Sequence, residues 1–568
     1  MSNNKSVANF LRIPLPKVDA AVKLLDDGNT IPFIARYRKE ATGGLDEEQL
    51  RQIEENIART RSLQERRETI LKGIQGQGKL TPEIEDNVQN ASTRTELEDL
   101  YQPFKPKRKT RAGTARKNGL EGLSDLILKQ PVINQTLNEA AKPFLSAEVK
   151  TLEQAWQGAR DIAAEIISDH PETRKVVRKK ALSISILTTE TKGNTEDAKQ
   201  VYRDYYDFTL RVDRLRPHQT LAINRAENER VLKVKLSLAE QIWQKAISAH
   251  FPQNTSSPFS GQLSKAIDDA AKRLLLPSIY RDVRRTLTEK AEEHAVHIFA
   301  KNLRALLLQP PLDGHTVLGI DPGYRTGCKV AVIDPTGKPL QTGVIYPVPP
   351  RSQIEKAREF MKESIRKYGV TLIAIGNGTG SRETENFTAG LIKEFSDLKY
   401  LIINEAGASV YSASKLAGRE LPDMDVSLRG AVSIARRVQD PLAEYVKIDP
   451  KSLGVGMYQH DLNQAKLKRK LADIVESVVN QVGVELNTAS PALLAHISGI
   501  GPGLAERIVS CRDDKGLFSR RDELLEVPGM GEKTYQQAAG FLRIREGANP
   551  IDDTAIHPES YPAALAVL

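Results

Sequence analysis

The stretch VLGIDPGYRTGCKVAVIDPTGKPLQTGVIYPV (317–348) holds three β-rich apolar runs separated by Pro/Gly turns, the signature of consecutive short strands. Outward from it, a helical pattern over about 352–368 leads to the strand LIAIG. A second helical pattern, over about 381–395, leads to the strand YLIIN, and a further helix follows. The order βββαβαβα predicts one mixed sheet with helices on its faces. On the amino-terminal side Pro310-Pro311 ends a helix that begins near Thr286, and almost everything earlier reads as helix. From Asp46 to Ile74 the apolar Leu50, Ile53, Ile57, Leu63, Ile70 and Ile74 recur at helical spacing among dense charges, which predicts an amphipathic helix. Ala181–Leu187 and Arg230–Leu236 read as strands of a small hairpin within the helical part. The fold class expected is multidomain and mainly α, with one α/β domain.

The chain has 568 residues, room for several domains. With 40% apolar residues it can bury ordinary cores, which excludes a wholly disordered or fibrous protein. No run approaches the ~18 unbroken apolar residues of a membrane helix. The start, MSNNKSVANFLRIPLPKV, lacks the apolar core of a signal peptide, so a cytoplasmic location is expected. Cys328 and Cys511 lie far apart in no Cys/His cluster, which argues against disulfides and Cys-ligated zinc.

Lys and Arg number 82 against 73 Asp and Glu, a net charge of +9. Clustering matters more than the total. Lys105, Lys107, Arg108, Lys109, Arg111, Arg116 and Lys117 stand in 101–120. A second group is Arg174, Lys175, Arg178, Lys179 and Lys180. Such clusters either form solvated faces or neutralise phosphates with counterion release.

The one internal repeat lies beyond Asp461. LLAHISGIGPGLAERIV and LLEVPGMGEKTYQQAAGFL align so that Gly499 and Gly501 match Gly529 and Gly531. Each copy sets an apolar residue, Ile500 or Met530, between two glycines just before a new helix. Glycine permits positive φ and close approach, and the helix start offers unsatisfied N–H groups to a phosphate without reading a base. Gly503, Arg507, Arg512 and Lys533 stand beside these turns. The pattern resembles a tandem helix-hairpin-helix module.

GIDPG (319–323) puts Asp321 at the end of an apolar first strand before a hairpin, which resembles the RNase H-like fold. Active nucleases of that fold gather several carboxylates on two metal ions. Here Glu405 after YLIIN is the second acid. Asn377 occupies the end of LIAIG where an acid is expected, with Glu383 and Glu385 farther on, and Arg429 falls where the last helix would supply an acid. A cation there repels Mg²⁺. The expectation is a degenerate, vestigial catalytic site with no metal and no cofactor, Mg²⁺ entering only under a nuclease alternative.

Weaker features point nowhere definite. GNGTG (376–380) lacks dinucleotide-loop spacing and GMGEKT (529–534) lacks the Gly-Lys pair of a P-loop. His294 and His297 lack a third ligand. Tyr202, Tyr205, Tyr206 and Phe208 could stack on bases but read better as core.

Long unbroken words complete the picture: PFIARYRKEATGGLDEEQL (32–50), ELEDLYQPFKPKRKTRAGTARKNGLEGL (96–123), AIGNGTGSRETE (374–385), NEAGASVYSAS (404–414), LRGAVSIARRVQDPLAEYVKIDPKSLGVGMYQHDLNQ (428–464) and HPESY (557–561). With the tandem hairpins and GIDPGYRTGCKVAVID (319–334), they make the chain resemble the Tex family of bacterial transcription accessory proteins over nearly its whole length. The resemblance implies an elongated helical scaffold with a helix-turn-helix-like part, a YqgF domain of RNase H-like fold, a tandem helix-hairpin-helix and a C-terminal S1 domain. No β-rich S1 segment follows HPESY, so that domain is expected to be absent. The divisions expected are 1–310 helical, 314–445 YqgF, 446–490 connecting helices, 491–550 hairpins and 551–568 the start of a linker.

The function expected is a nucleic-acid-binding accessory factor of transcription that grips phosphate backbone with little sequence preference. Its partners are DNA or RNA, with RNA polymerase or ribosome as protein partners and no membrane. The alternatives are a metal-dependent resolvase-like nuclease using Asp321 and Glu405, and a protein-interaction scaffold.

Overall fold

A computed structural model describes residues 3–106, 109–192, 197 and 199–567. The chain divides into two compact units, 55–294 and 2–54 with 295–568. The helical stretch expected over 1–310 is thus shared between them. Among the described residues no helix is long and apolar enough to cross a membrane.

The first unit is built around the helix Leu152–Asp169, whose start is closed by a Thr151–Gln154 capping box. Its buried stripe is rich in small residues, Ala155, Ala159, Ala163 and Ala164 beside Ile162 and Ile167, so neighbours approach closely. A Cβ at Gly158 would fall on Leu120. The small sheet has three strands, β1 (Ile186–Thr191), β2 (Asp207–Arg211) and β3 (Leu232–Ser237), in the order β2-β1-β3 and antiparallel throughout. The strand expected at Ala181–Leu187 is corrected: Ala181 to Ile184 close the helix Pro171–Ile184. Val177 and Ala181, four apart, are both fully buried on one face of that helix, and helical packing overrides the local β propensity of the apolar run. Tyr202 is buried beside Ala226, Val231 and Leu232 with Tyr205 and Tyr206 packed on it, so the aromatic group is core.

In the second unit the helix expected from Asp46 to Ile74 spans Glu47–Gln75 and runs on into the first unit. The helix before Pro310 starts at Leu276 instead of Thr286 and continues without a break from a π-helical turn, Ala270–Leu275; the altered bonding of that turn accommodates Pro277, whose missing N–H and ring would disrupt a regular α ladder. The mixed sheet comprises β4 (Val317–Asp321), β5 (Cys328–Ile333), β6 (Pro339–Ile345), β7 (Leu372–Gly376) and β8 (Lys399–Ile403). The order is β6-β5-β4-β7-β8, antiparallel among the first three and parallel from β4 to β8. This is the RNase H-like arrangement within a mainly helical chain. Strand alternation splits the core. Leu318, Ile320, Ile373 and Ile375 pack with the helices Ile354–Tyr368 and Ser381–Ile392. Val317, Leu372 and Ala374 pack with Ala431, Ile434 and Ala435 of the helix Val426–Gln439 on the other face. Gly319 lets that helix touch the sheet, since a Cβ there would strike the Ala431 carbonyl.

Candidate nucleic-acid interface

The two repeats fold into matching turns in which each glycine has its own task. Gly499 and Gly529 reverse the chain at φ +80° and +89°, where only glycine is unstrained. Gly501 and Gly531 are extended, at φ −90° and −88°, and cap the helices Pro502–Lys515 and Glu532–Ala538 without any side-chain cap. Between them Ile500 and Met530 are buried and anchor each turn. First-turn amides of such helices have no intrahelical partner. Among the described residues no hydrogen bond takes the amides of Gly501, Gly503, Gly531 or Lys533. A Cβ at Gly501 or Gly531 meets nothing within 4 Å. Both cradles are open.

Residues far away in sequence hold them in place. Asn480 is 1% exposed; its carboxamide accepts from the Ser498 N–H at 3.0 Å and donates to the His496 carbonyl at 2.8 Å. The hydroxyls of Thr30 and Ser498 bond to each other. Gln537 donates to the Gly28 carbonyl and accepts from the Thr30 N–H, each at 3.2 Å. Tyr37 donates to the Gly540 carbonyl at 2.6 Å, and Arg38 forks onto Glu559 at 2.9 and 3.0 Å. The segment from Gly28 to Tyr37 therefore braces the hairpins, a role no local signal announced.

The charges beside the turns are partly committed. Arg507 is exposed, but its Nε donates to the Pro528 carbonyl at 2.5 Å, tying the first hairpin's helix to the second hairpin's turn. Lys533 is exposed and donates one N–H to the Asp27 carbonyl, leaving two. Arg512 is spent on the carbonyls of Leu486 and Ala489, at 3.1 and 3.0 Å.

Of the basic group at 101–120, in the first unit, Lys105 pairs with Glu98 at 2.6 Å and Arg116 with Glu165 at 2.7 Å. Lys109, Arg111 and Lys117 are exposed. Lys107 and Arg108 lie outside the described residues. The second basic group is corrected in part. Arg174 and Arg178 are buried and share Asp99, with Arg178 also 3.1 Å from Asp282. Asp99 is 6% exposed, and a buried carboxylate needs paired charge, so these two arginines are structural. His294 and His297 are exposed.

The sheet brings Asp321 and Glu405 together. Asp321 is raised above the usual carboxylate range by burial, against Lys329 and Arg437. Glu405 is raised by burial and then by Asp321 itself. Glu405 accepts from the Gly378 N–H, its own N–H is held by Asn377 Oδ1 at 3.1 Å, and its Oε2 is buried with no hydrogen bond. Glu383 is taken by Tyr324 and Glu385 by Tyr400 at 3.0 Å, so neither joins the pair. Arg429 is not the cation of this site: it donates to the carbonyls of Met424 and Ser412 at 3.1 and 3.3 Å. Facing Asp321 is Gly430, where a Cβ would stand 2.8 Å from Oδ2. The cation is Arg437, 1% exposed, its guanidinium 4.7 Å over the Tyr445 ring and bonded to the Asn404 carbonyl. Its Nε and Nη2 have no partner. The RNase H-like fold implies a pair of divalent ions, and this donor set does not fit them. It offers two carboxylates and a guanidinium, and among the described residues no group of three His, Cys, Asp or Glu converges.

Comparison with known proteins covers the chain broadly. Residues 315–439 match the Tex protein YqgF-like domain, 1–75 the Tex-like protein N-terminal domain, 133–299 the Tex central region-like family and 479–543 a helix-hairpin-helix motif. A protein of Bacillus subtilis, YdcI, is 46% identical over 568 residues, 99% of this chain and 79% of that protein. The Transcriptional accessory protein Tex of Neisseria gonorrhoeae is 44% identical over 579 residues, 100% of this chain and 75% of that protein. Protein tex of Bordetella pertussis is 46% identical over 567 residues, 97% and 72% respectively.

Proposed function

From the premise that the chain belongs to the Tex family of transcription accessory proteins, we propose that it is a nucleic-acid-binding factor that grips the sugar-phosphate backbone at its tandem hairpins. The observation that carries this is the pair of open cradles, with amides of Gly501 and Gly503 and of Gly531 and Lys533 unengaged and clear space in front of Gly501 and Gly531. Backbone N–H groups at a helix start bind an anion by charge and direction alone. Nothing in the turns reads a base edge, so sequence preference is weak. Arg507 and the spare N–H groups of Lys533 add charge, and Lys109, Arg111 and Lys117 give the other unit a further phosphate-attracting face. Neither a nuclease step nor a metal is part of this reading.

Titration of labelled single- and double-stranded DNA and RNA at several salt concentrations tests it. The logarithm of the affinity should fall linearly with the logarithm of salt, each phosphate contact contributing about 0.7–0.9 to the slope. Affinity that is undetectable for all four ligands, or indifferent to salt, overturns the proposal.

A further inference from the structure

The Asp321–Glu405 pocket is built with care for two acids that have no ion pair. A Cβ at Gly376 or Gly378 would fall on the Glu405 carboxylate, and one at Gly430 would crowd Asp321. Three glycines, at the end of β7, in the loop after it and on the helix Val426–Gln439, thus make room for the acids. The helix Val426–Gln439 also carries Arg437, seven residues and two turns beyond Gly430 and so on the same face, and its guanidinium reaches the carbonyl of Asn404, the residue before Glu405. Burying a guanidinium with two unpartnered nitrogens costs far more than burying Leu or Met at that position. Stacking on Tyr445 and one bond to Asn404 leave Nε and Nη2 without a hydrogen bond. The acids whose charge acts on the guanidinium are Glu444, which Lys447 already pairs at 2.5 Å, and then Glu405. Asp321 and Glu405, by contrast, have no ion-pair partner of their own: two buried carboxylates of like sign repel each other, and Lys329 and then Arg437 are the positive charges acting on Asp321.

We propose that Arg437 is the built-in counter-cation of the Asp321–Glu405 pair, supplying the positive charge that divalent ions bring to carboxylate sites of this fold, so that the pocket excludes Mg²⁺ and Mn²⁺ for as long as the guanidinium is there. Asn377 supports the same arrangement, since it occupies the end of β7 with a neutral carboxamide that holds the Glu405 N–H instead of adding a third negative charge. Arg437 is therefore a positioning and charge-balancing residue. The inference is independent of the hairpins: either reading can fail without the other.

The test is Mn²⁺ binding followed by electron paramagnetic resonance on the full chain, up to about 1 mM free ion, which detects sites as weak as about −4 kcal/mol. The wild type should bind no more Mn²⁺ than D321N/E405Q. Arg437→Met should gain one ion per chain with at least tenfold higher affinity, and its melting temperature should rise with Mn²⁺ while the wild type's does not. D321N/R437M should lose that ion, and Arg437→Lys, which keeps the charge, should not gain it. Wild-type binding that disappears in D321N/E405Q overturns the inference. So does a folded Arg437→Met chain that binds no more than the wild type. Should Arg437→Met fail to fold, Arg437→Gln is measured in its place, and the wild type against D321N/E405Q still decides: equal binding supports the inference and a loss refutes it.

Discussion

The hairpin turns and the Asp321–Glu405 pocket both lie in the second unit, and they treat charge in opposite ways. At the hairpins polar groups are left unpaired at the surface, where water satisfies them until an anion replaces it. In the pocket, polar groups are left unpaired in the interior, where every missing partner costs about 1–3 kcal/mol. The first arrangement is cheap to maintain and ready for a ligand. The second is costly, and the chain offsets it by setting acids against a guanidinium. Openness therefore separates the surface proposed to bind from a pocket whose two acids are buried near a guanidinium.

The sharpest way to break this contrast is at the outer glycines. Gly501 and Gly531 are extended, a backbone region open to any residue, and their Cβ positions face open space. The double variant Gly501→Val/Gly531→Val should fold, with a melting temperature lowered by the poorer N-caps, and lose at least tenfold in nucleic-acid affinity, about 1.4 kcal/mol, because the methyls stand where a phosphate would approach. Equal affinity in a fluorescence anisotropy titration would remove the hairpins from the binding surface.

The inner glycines should respond in the other currency. At Gly529, φ +89° strains any side chain and a Cβ would press against the Arg507 guanidinium. Gly529→Ala should destabilise the chain by about 1–2 kcal/mol, read in urea melts. An unchanged midpoint would mean that the turn relaxes freely and that its rigidity is not what shapes the cradle.

How much of this was legible in the sequence follows from the range of the signals. The succession of strands and helices around β4 could be read because LIAIG and the DPG and DPTG turns are local. The glycine pairs were legible because the repeat states them twice. The bracing of the hairpins by Thr30 and Tyr37 was not, since those bonds join residues some 470–500 positions apart. The cation of the pocket was placed eight residues too early, at Arg429 instead of Arg437. Arg429 precedes Gly430 and so points about 100° away around the helix, whereas Arg437 shares the stripe of Gly430 and Ile434 at i, i+4 and i+7. That spacing was present in LRGAVSIARRV and is the signal that would have found it. Arg174 and Arg178 could not be separated from their exposed neighbours Lys175, Lys179 and Lys180 without Asp99, which lies 75 residues from Arg174.

The pocket makes its own prediction about pH. The fold raises the Asp321 pKa, so the folded chain prefers the protonated acid. Ionising it subtracts stability as pH rises from the unfolded value, about 3.9, through the raised folded value. Asp321→Asn mimics the protonated form. It should therefore stabilise the chain at neutral pH by about 1 kcal/mol, because burial outweighs the opposing charges of Lys329 and Arg437, and the advantage should vanish below about pH 4. Melts of both chains across pH 3–8 check this; a variant less stable than the wild type at pH 7 would show that Asp321 is held ionised by its cations.

The smallest effect is expected at Lys533, and it separates bracing from binding. One N–H is committed to the Asp27 carbonyl, so Lys533→Gln, which can still donate there, should leave the stability within about 0.5 kcal/mol of the wild type, as surface changes usually do. The lost charge should weaken binding to every nucleic acid alike and lower the salt slope by about one contact. An unchanged slope would mean that the lysine's whole charge serves the loop at Asp27–Gly28 and that the second cradle binds with its amides alone. A fall in stability with the slope intact would mean that the contact with the amino-terminal helices, more than the phosphate, is what fixes a lysine at this position.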